Sequence, residues 1–436
     1  MHAARALGVA RTSFRRSWAR PPWNQQQRFS SLKPRSTSGV EEAPPFAFAF
    51  DIDGVLLHVS QPIPGASEAL QYLHAHHIPF ILLTNGGGKH EAERVADLRA
   101  KLGVPLTEAN FVQSHTPLRQ LAAPGAGPAS LADKTVLVTG ADAARCRAIA
   151  EAYGFSRVVI PADILAAHPA VWPFDPLMKD VYARQARPLP RRIVTPDVAG
   201  EDRSRLGLKI DAVFVFNDPR DWALDIQLIV DLLLSEEGYL GTHSRRNGDV
   251  NRPGCGWQGH GQPPLYFSNA DLFWSTGFHL PRFGQGAFQA AVAGVWRRVT
   301  GGHELQRKVL GKPYRETYRF AEQVLTAHRH EMLRRAAAGG ALLSEGAAQA
   351  GHEPPPPLRS VYMVGDNPES DIAGANEFVS EAGTDWTSVL VRTGVWSPER
   401  GGGEALKGRF KPRVIVDDVK EAVRWAMKRE GRKGSI

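Results

Sequence analysis

Cysteine is nearly absent, with only Cys146 and Cys255 in 436 residues. That excludes a disulfide framework and argues against a zinc site built on thiolates. Two reduced thiols fit an intracellular compartment. Long apolar runs are missing as well. The best candidate, 225–234, is broken by Asp225 and Asp231, so no membrane span is expected. The first forty residues contain no acid at all, while they hold seven Arg and one Lys. Setting those eight aside leaves 45 basic residues against 45 acidic ones, so the net charge of +8 belongs to the N-terminus. A neutral body argues against a nucleic-acid partner.

An acid-free, Arg-rich and Ser-containing N-terminus has the composition of a mitochondrial transit peptide. As a helix, residues 1–29 would set Leu7, Val9, Phe14 and Trp18 between the arginines. Arg28-Phe29-Ser30-Ser31 is similar to a matrix-processing site, which makes the mitochondrial matrix the expected location. The competing reading is a disordered basic tail.

The Ser/Pro-rich stretch 30–45 reads as linker. The apolar strand Phe46–Phe50 then leads to a helical pattern at 65–76. The strand Phe80–Leu83 and an amphipathic helix at 89–102 follow. Strand and helix in alternation imply a parallel α/β sheet. A second α/β pattern starts near Lys134, with strands at 135–138, 157–160 and 212–216. These segments define a core at 46–117, an inserted cap domain at 118–280 and a second core part at 281–436. Residues 184–206 and 243–264 read as cap loops. The Ala/Gly-rich stretch 336–357, ending in four prolines, reads as a flexible insertion. Further strands are expected at 361–364, 388–391 and 414–416.

Four short segments carry chemistry. Asp51-Ile52-Asp53-Gly54 follows the first strand. Residues two apart in extended chain face the same way, so both carboxylates point into one crevice. One carboxylate can attack phosphorus and the other can move a proton, although Asp-x-Asp at a strand end is also an ordinary turn. Thr84-Asn85-Gly86-Gly87-Gly88 follows the second strand. Its hydroxyl and backbone N–H groups suit phosphate oxygens, and a plain Gly-rich turn is the equal alternative. Lys312, in Gly311-Lys312-Pro313, can offset phosphate charge. Gly365-Asp366-(x)4-Asp371 offers two acids around a helix start. Such oxygens suit Mg²⁺, or the aspartates are helix caps.

In their order, the four segments resemble the four motifs of the haloacid-dehalogenase (HAD) superfamily. A large cap between the second and third motifs is similar to class IIA. That class includes nucleotide, phosphoglycolate and pyridoxal-phosphate phosphatases. Ser268-Asn269-Ala270-Asp271, Gly284-Gln285-Gly286-Ala287-Phe288 and Val391-Arg392-Thr393-Gly394-Val395 strengthen the likeness. The stretch 269–286 resembles the mitochondrial hydrolase-like branch named after the cat-eye-syndrome critical region.

The resemblance implies a Rossmannoid α/β core with a parallel sheet plus an inserted α/β (C2-type) cap domain. It implies a Mg²⁺-dependent phosphatase with Asp51 as nucleophile and Asp53 as general acid/base. Thr84, Asn85, Gly86 and Lys312 would hold phosphate. Asp51, the Asp53 carbonyl, Asp366 and Asp371 would hold Mg²⁺. Asn269 and Arg220 are the substrate-facing candidates of the cap. A small phosphorylated substrate and a homodimer through the cap are the expected partners. Two other readings stand beside this one. The first is a phosphatase for lipid head groups, which needs an exposed apolar or basic patch beside the crevice. The second is a catalytically idle HAD-fold protein that binds partners.

Overall fold

The structure is a computed structural model. It describes residues 43–436 apart from 126, 197–202, 275, 277, 338–355, 397–405 and 433–435. The expected transit peptide, linker residues 30–42 and most of the expected insertion at 336–357 lie outside the described residues.

Two parallel sheets organise residues 41–436. The first has six strands in the order Val414–Val416, Asp385–Val391, Ser360–Gly365, Phe46–Phe50, Phe80–Leu83 and Phe111–Val112. Its central strand explains its own packing. Phe46, Phe48 and Phe50 enter a cluster with Leu70, Leu73 and Val423. Ala47 and Ala49, on the opposite face, lie in a cluster with Tyr318, Phe320 and Leu325. Alternate residues of a strand face opposite ways, and a parallel sheet is covered on both. Large residues thus fill one layer, while alanines let the helix Arg315–Ala337 cover the other. From Phe46–Phe50 the chain goes to Phe80–Leu83 on one side, and Ser360–Gly365 lies on the other. Strand order therefore switches at Phe46–Phe50, and ligand crevices form at the carboxyl ends beside such a switch.

The second sheet has five strands in the order Lys308–Val309, Leu265–Phe267, Ala212–Val215, Thr135–Thr139 and Arg157–Val159. It forms the cap, inserted between Phe111–Val112 and Ser360–Gly365 of the first sheet. The chain is therefore a Rossmannoid α/β core with an inserted cap domain.

The cap does not end at residue 280, as its sequence pattern suggests. Phe288, Val292, Ala293 and Trp296 of the helix Gln285–Val299 pack with Val213, Val215 and Phe267 of the second sheet. Lys308–Val309 then adds that sheet's edge strand. The first sheet regains the chain only at the helix Arg315–Ala337. A helical apolar stripe identifies a buried face but not the sheet that buries it, so periodicity alone set the boundary too early.

Candidate active site

The carboxyl ends of three neighbouring strands meet at one place. Asp51 follows Phe46–Phe50, and its backbone N–H donates to Val364 O at 2.9 Å. Asp366 follows Ser360–Gly365. Asp371 lies in the helical turn Pro368–Ile372, whose side chain folds back beneath the strand end. Gly365 makes that return possible, because a Cβ there would collide with the Asp371 side chain. Asp51, Asp366 and Asp371 are all buried, and each offers a carboxylate oxygen within 4.8 Å of the others.

Lys312 enters this acidic cluster from the opposite side. Its Nζ lies 2.7 Å from Asp51 Oδ1 and 2.7 Å from Asp371 Oδ1, and the side chain is 1% exposed. Burial opposes its charge, yet Asp371 and Asp51 outweigh burial and hold the ammonium above its ordinary pKa. Burial pushes Asp371 up to about 6, against the pull of Lys312. Burial also pushes Asp366 well above the usual carboxylate range, and Asp51 and Asp371 add to the effect. Three carboxylates against one ammonium leave an excess of negative charge in a desolvated pocket. An all-oxygen, anionic donor set of this kind fits a hard divalent cation.

Other segments hold the cluster in place. Val395 N–H donates to Asp366 Oδ2 at 2.6 Å, and Asn367 N–H to Asp371 Oδ2 at 3.0 Å. Thr393 Oγ1 donates to Gly54 O at 2.5 Å. Asp53 differs from these acids in being exposed. Its Oδ2 would lie 4.0 Å from a Cβ built at Gly86. The carboxylate of Asp53 is thus at the mouth, beside the glycine loop, and outside the three-carboxylate cluster.

In that loop, Thr84 is buried and its Oγ1 accepts from Gly86 N–H at 3.0 Å, so the hydroxyl keeps its proton to donate. Asn85 is committed to scaffolding. Its Oδ1 accepts from Lys312 N–H at 2.7 Å, and its Nδ2 donates to Lys312 O at 3.0 Å. The same Nδ2 reaches both carboxylate oxygens of Asp271 at 3.1 Å.

Asp271 is the cap residue that sequence reasoning passed over. It belongs to Asn269-Ala270-Asp271, where Asn269 looked the better candidate. Asn269 Oδ1 accepts from Asp271 N–H at 2.8 Å, an Asx turn that carries Asp271 toward the core. Burial raises the Asp271 carboxyl to about 7, against the Asn85 hydrogen bond and Lys312. The only sequence signal was an acid two residues after an Asx-turn former. Arg220 is exposed on the cap, and its charge acts on Asp218.

Residues 48–156 match the family described as haloacid dehalogenase-like hydrolase, and residues 309–422 match a HAD-hydrolase-like family. A mitochondrial hydrolase of Saccharomyces cerevisiae is 38% identical over 377 residues, covering 86% of this chain and 94% of that protein. The chain belongs to the haloacid dehalogenase-like hydrolases. This hydrolase is also 35% identical over 384 residues to a Schizosaccharomyces pombe protein named as a cardiolipin synthase (CMP-forming)/mitochondrial hydrolase fusion. That match covers 87% of this chain and 53% of the fusion protein, so the chain spans about half the length of that relative. Among solved structures, the hydrolase shares its fold with a p-nitrophenyl phosphatase from Archaeoglobus fulgidus. The TM-score is 0.50 at 16% identity, covering 87% of this chain and 98% of that one.

Proposed function

We propose that this hydrolase is a Mg²⁺-dependent phosphomonoesterase of class IIA that works through an aspartyl-phosphate on Asp51. The observation that carries the reading is the Lys312 ammonium, shared between Asp51 and Asp371 within a cluster of three buried carboxylates. Buried like charges destabilise a fold, and such clusters are found chiefly at functional sites, which favours catalysis over an idle partner-binding role.

In this reading, Lys312 holds Asp51 Oδ1, which leaves Oδ2 as the attacking atom. Oδ2 forms a bond to phosphorus while the ester P–O bond breaks. Asp53, exposed at the mouth, gives its proton to the departing alkoxide. Asp53 then takes a proton from water, whose oxygen attacks phosphorus. The bond from phosphorus to Asp51 breaks, releasing inorganic phosphate and restoring the carboxylate. Thr84 Oγ1, whose proton is left to donate, and Lys312 would receive phosphate oxygens, whereas the Gly86 N–H is taken up by Thr84 Oγ1. Asn85 is a positioning residue acting through Lys312. Asp51, Asp366, Asp371 and the Asp53 carbonyl would hold Mg²⁺, which supplies charge neutralisation on the transferring phosphoryl group.

The Saccharomyces cerevisiae relative bears the name mitochondrial hydrolase. Together with the acid-free N-terminus, that supports a mitochondrial location, with the matrix as the compartment.

The test is phosphate release from p-nitrophenyl phosphate with Mg²⁺ by wild type and by Asp51→Asn. The variant keeps an Oδ1 acceptor for Lys312, so its melting temperature should stay close to wild type while its activity drops to background. Wild-type turnover by Asp51→Asn would remove the covalent mechanism.

A further inference from the structure

We propose that the cap hairpin built on the strands Phe273–Trp274 and Arg282–Phe283 is a tongue that docks on an anionic phospholipid surface, bringing lipid-borne phosphate esters to the site. The proposal rests on the phosphatase reading for its substrate class, but the docking surface stands on its own observations.

The hairpin pairs Phe273 with Phe283 and Trp274 with Arg282. Its apolar side chains face outward. Phe273 is 50% exposed, Trp274 48%, Phe278 50%, Leu280 52% and Phe283 64%. A Phe or Trp side chain buries roughly 150–250 Å² when fully covered, so four half-exposed rings present on the order of 400 Å² divided between the two faces of the hairpin, Phe273 and Phe283 on one and Trp274 and Arg282 on the other. A hairpin that exposes apolar rings on both faces suits insertion into an apolar phase better than flat contact with one partner surface. The patch is also built. Phe273 stacks on Phe283 with centroids 5.6 Å apart, and the Arg282 guanidinium lies 4.5 Å from the Phe278 ring centroid.

Charge selects the occupant. Residues 272–283 contain no acid, while Arg282 and His279 lie among the rings. Aromatic and aliphatic side chains with a cation and no anion match the interface of a membrane that carries negative lipids. Each Arg near such a surface contributes attraction, and the rings supply the apolar insertion. Among the described residues no helix is long and apolar enough to cross a membrane. Contact from one side is therefore the mode that the described residues offer.

The root of the tongue ties it to the chemistry. Gly284 N–H donates to Leu272 O at 2.9 Å, and Gly286 N–H to Asp271 O at 2.9 Å, closing the hairpin base. Asp271 at that base is held by Asn85, which in turn holds the Lys312 backbone. The apolar patch needed by a lipid head-group phosphatase is thus present beside the crevice. It is a hairpin of the cap, not the basic helix by which such surfaces are usually recognised in sequence.

Flotation of the full chain with vesicles tests the docking. One set is phosphatidylcholine alone and the other contains phosphatidylglycerol as well. Wild type should rise with the anionic vesicles and much less with the neutral ones. The triple variant Phe273→Ser, Trp274→Ser, Phe283→Ser should lose at least about tenfold in bound fraction. Arg282→Gln should weaken anionic binding and flatten its salt dependence. Melting curves check that the variants fold. Wild type should also show a higher kcat/KM on phosphatidic acid in those vesicles than on soluble glycerol 3-phosphate, and the triple variant should lose the excess. Wild type remaining at the bottom of the gradient with both vesicles overturns the proposal. So does a wild-type dimer that the triple variant splits, without vesicle binding, since the tongue would then join two copies of this chain. A wild type that floats yet releases phosphate from no ester refutes the phosphatase reading alone. One that hydrolyses p-nitrophenyl phosphate but never floats refutes the docking alone.

Discussion

The side-chain amide of Asn85 brackets the backbone of Lys312, accepting from its N–H at 2.7 Å and donating to its carbonyl at 3.0 Å. The lysine on which the acidic cluster depends is therefore fixed from behind by a residue of the glycine loop. Asn85→Ala would leave two buried backbone groups without a partner, at about 1–3 kcal/mol each. It would also loosen the Nζ position. A misplacement of about 1 Å in such a site costs on the order of 10²-fold in rate. The expected result is a kcat loss of that order with a much smaller change in KM, measured by steady-state kinetics. An unchanged kcat would show that Asp51 and Asp371 hold Lys312 unaided.

Mg²⁺ should stabilise the fold whether or not a substrate is known. Binding to the native state alone raises stability by about 2.7 kcal/mol at a concentration a hundred times Kd. A thermal melt with Mg²⁺ should therefore shift upward relative to a chelator-treated sample. Asp366→Asn should abolish the shift, because it removes one of three carboxylates that converge within 4.8 Å. Ligand oxygens must be deprotonated to bind, so the shift should shrink as pH falls, through the raised range of Asp366 and through about 6, the value of Asp371. An Mg²⁺ shift of wild-type size in Asp366→Asn would refute the ligand assignment.

Asp225 makes the cap sensitive to pH in the opposite direction. Burial raises its carboxyl to about 8, assisted by Asp221 and opposed by a hydrogen bond to Thr139. The folded chain thus keeps a proton that the unfolded chain releases near pH 4. Because the unfolded state binds fewer protons across this window, stability declines as pH rises from about 4 to about 8 and levels off above. Asp225→Asn mimics the neutral acid. It should melt higher than wild type at pH 8, with the gap closing toward pH 4. A gap that is independent of pH would mean that Asp225 is ionised in the fold.

The buried pair Arg147–Asp163 should show unequal costs for its two halves. Arg147 Nη2 meets both Asp163 oxygens, at 2.6 and 2.8 Å, and both side chains are buried. Asp163 also accepts from the N–H groups of Arg187 at 2.6 Å and Ile160 at 2.9 Å. Breaking a buried pair costs about 3–5 kcal/mol. Asp163→Ala strands a buried guanidinium and two N–H groups, so it should reach that range in urea unfolding. Arg147→Met should cost less, since two N–H donors still hold the carboxylate. The reverse order would sink this account.

Much of the core could be read before any coordinates, because strand ends announce themselves. Asp51, Thr84 and Asp366 each end an apolar run followed by glycine or a turn, and all lie at the carboxyl edge of the first sheet. Three of the short strands escaped, although Arg157–Val159 and Val414–Val416 did not. Phe111–Val112, Leu265–Phe267 and Lys308–Val309 are too short to show a period, and pairing with neighbours alone makes them strands. The run around Asp225 and Asp231 was read correctly as too polar for a membrane. Its period could not reveal that Asp225 would be buried, since that depends on what covers the helix Trp222–Leu234. Asp271 was missed because its partner Asn85 lies 186 positions away.

The glycine loop also governs how separable the two halves of this molecule are. The chain passes from core to cap near 113–117 and back near 310–314, and loop residues 85–88 grip both passages. Asn85 holds Lys312 on the return. Gly86 O accepts from Ser114 N–H at 3.3 Å, and Gly88 N–H donates to His115 Nε2 at 3.3 Å, on the way out. Caps are natural targets for exchange between relatives when an engineer wants a new specificity. A graft cut at the obvious seams here would sever the fastenings of the lysine together with the old specificity. The transferable module is the cap with both passages and the loop that binds them.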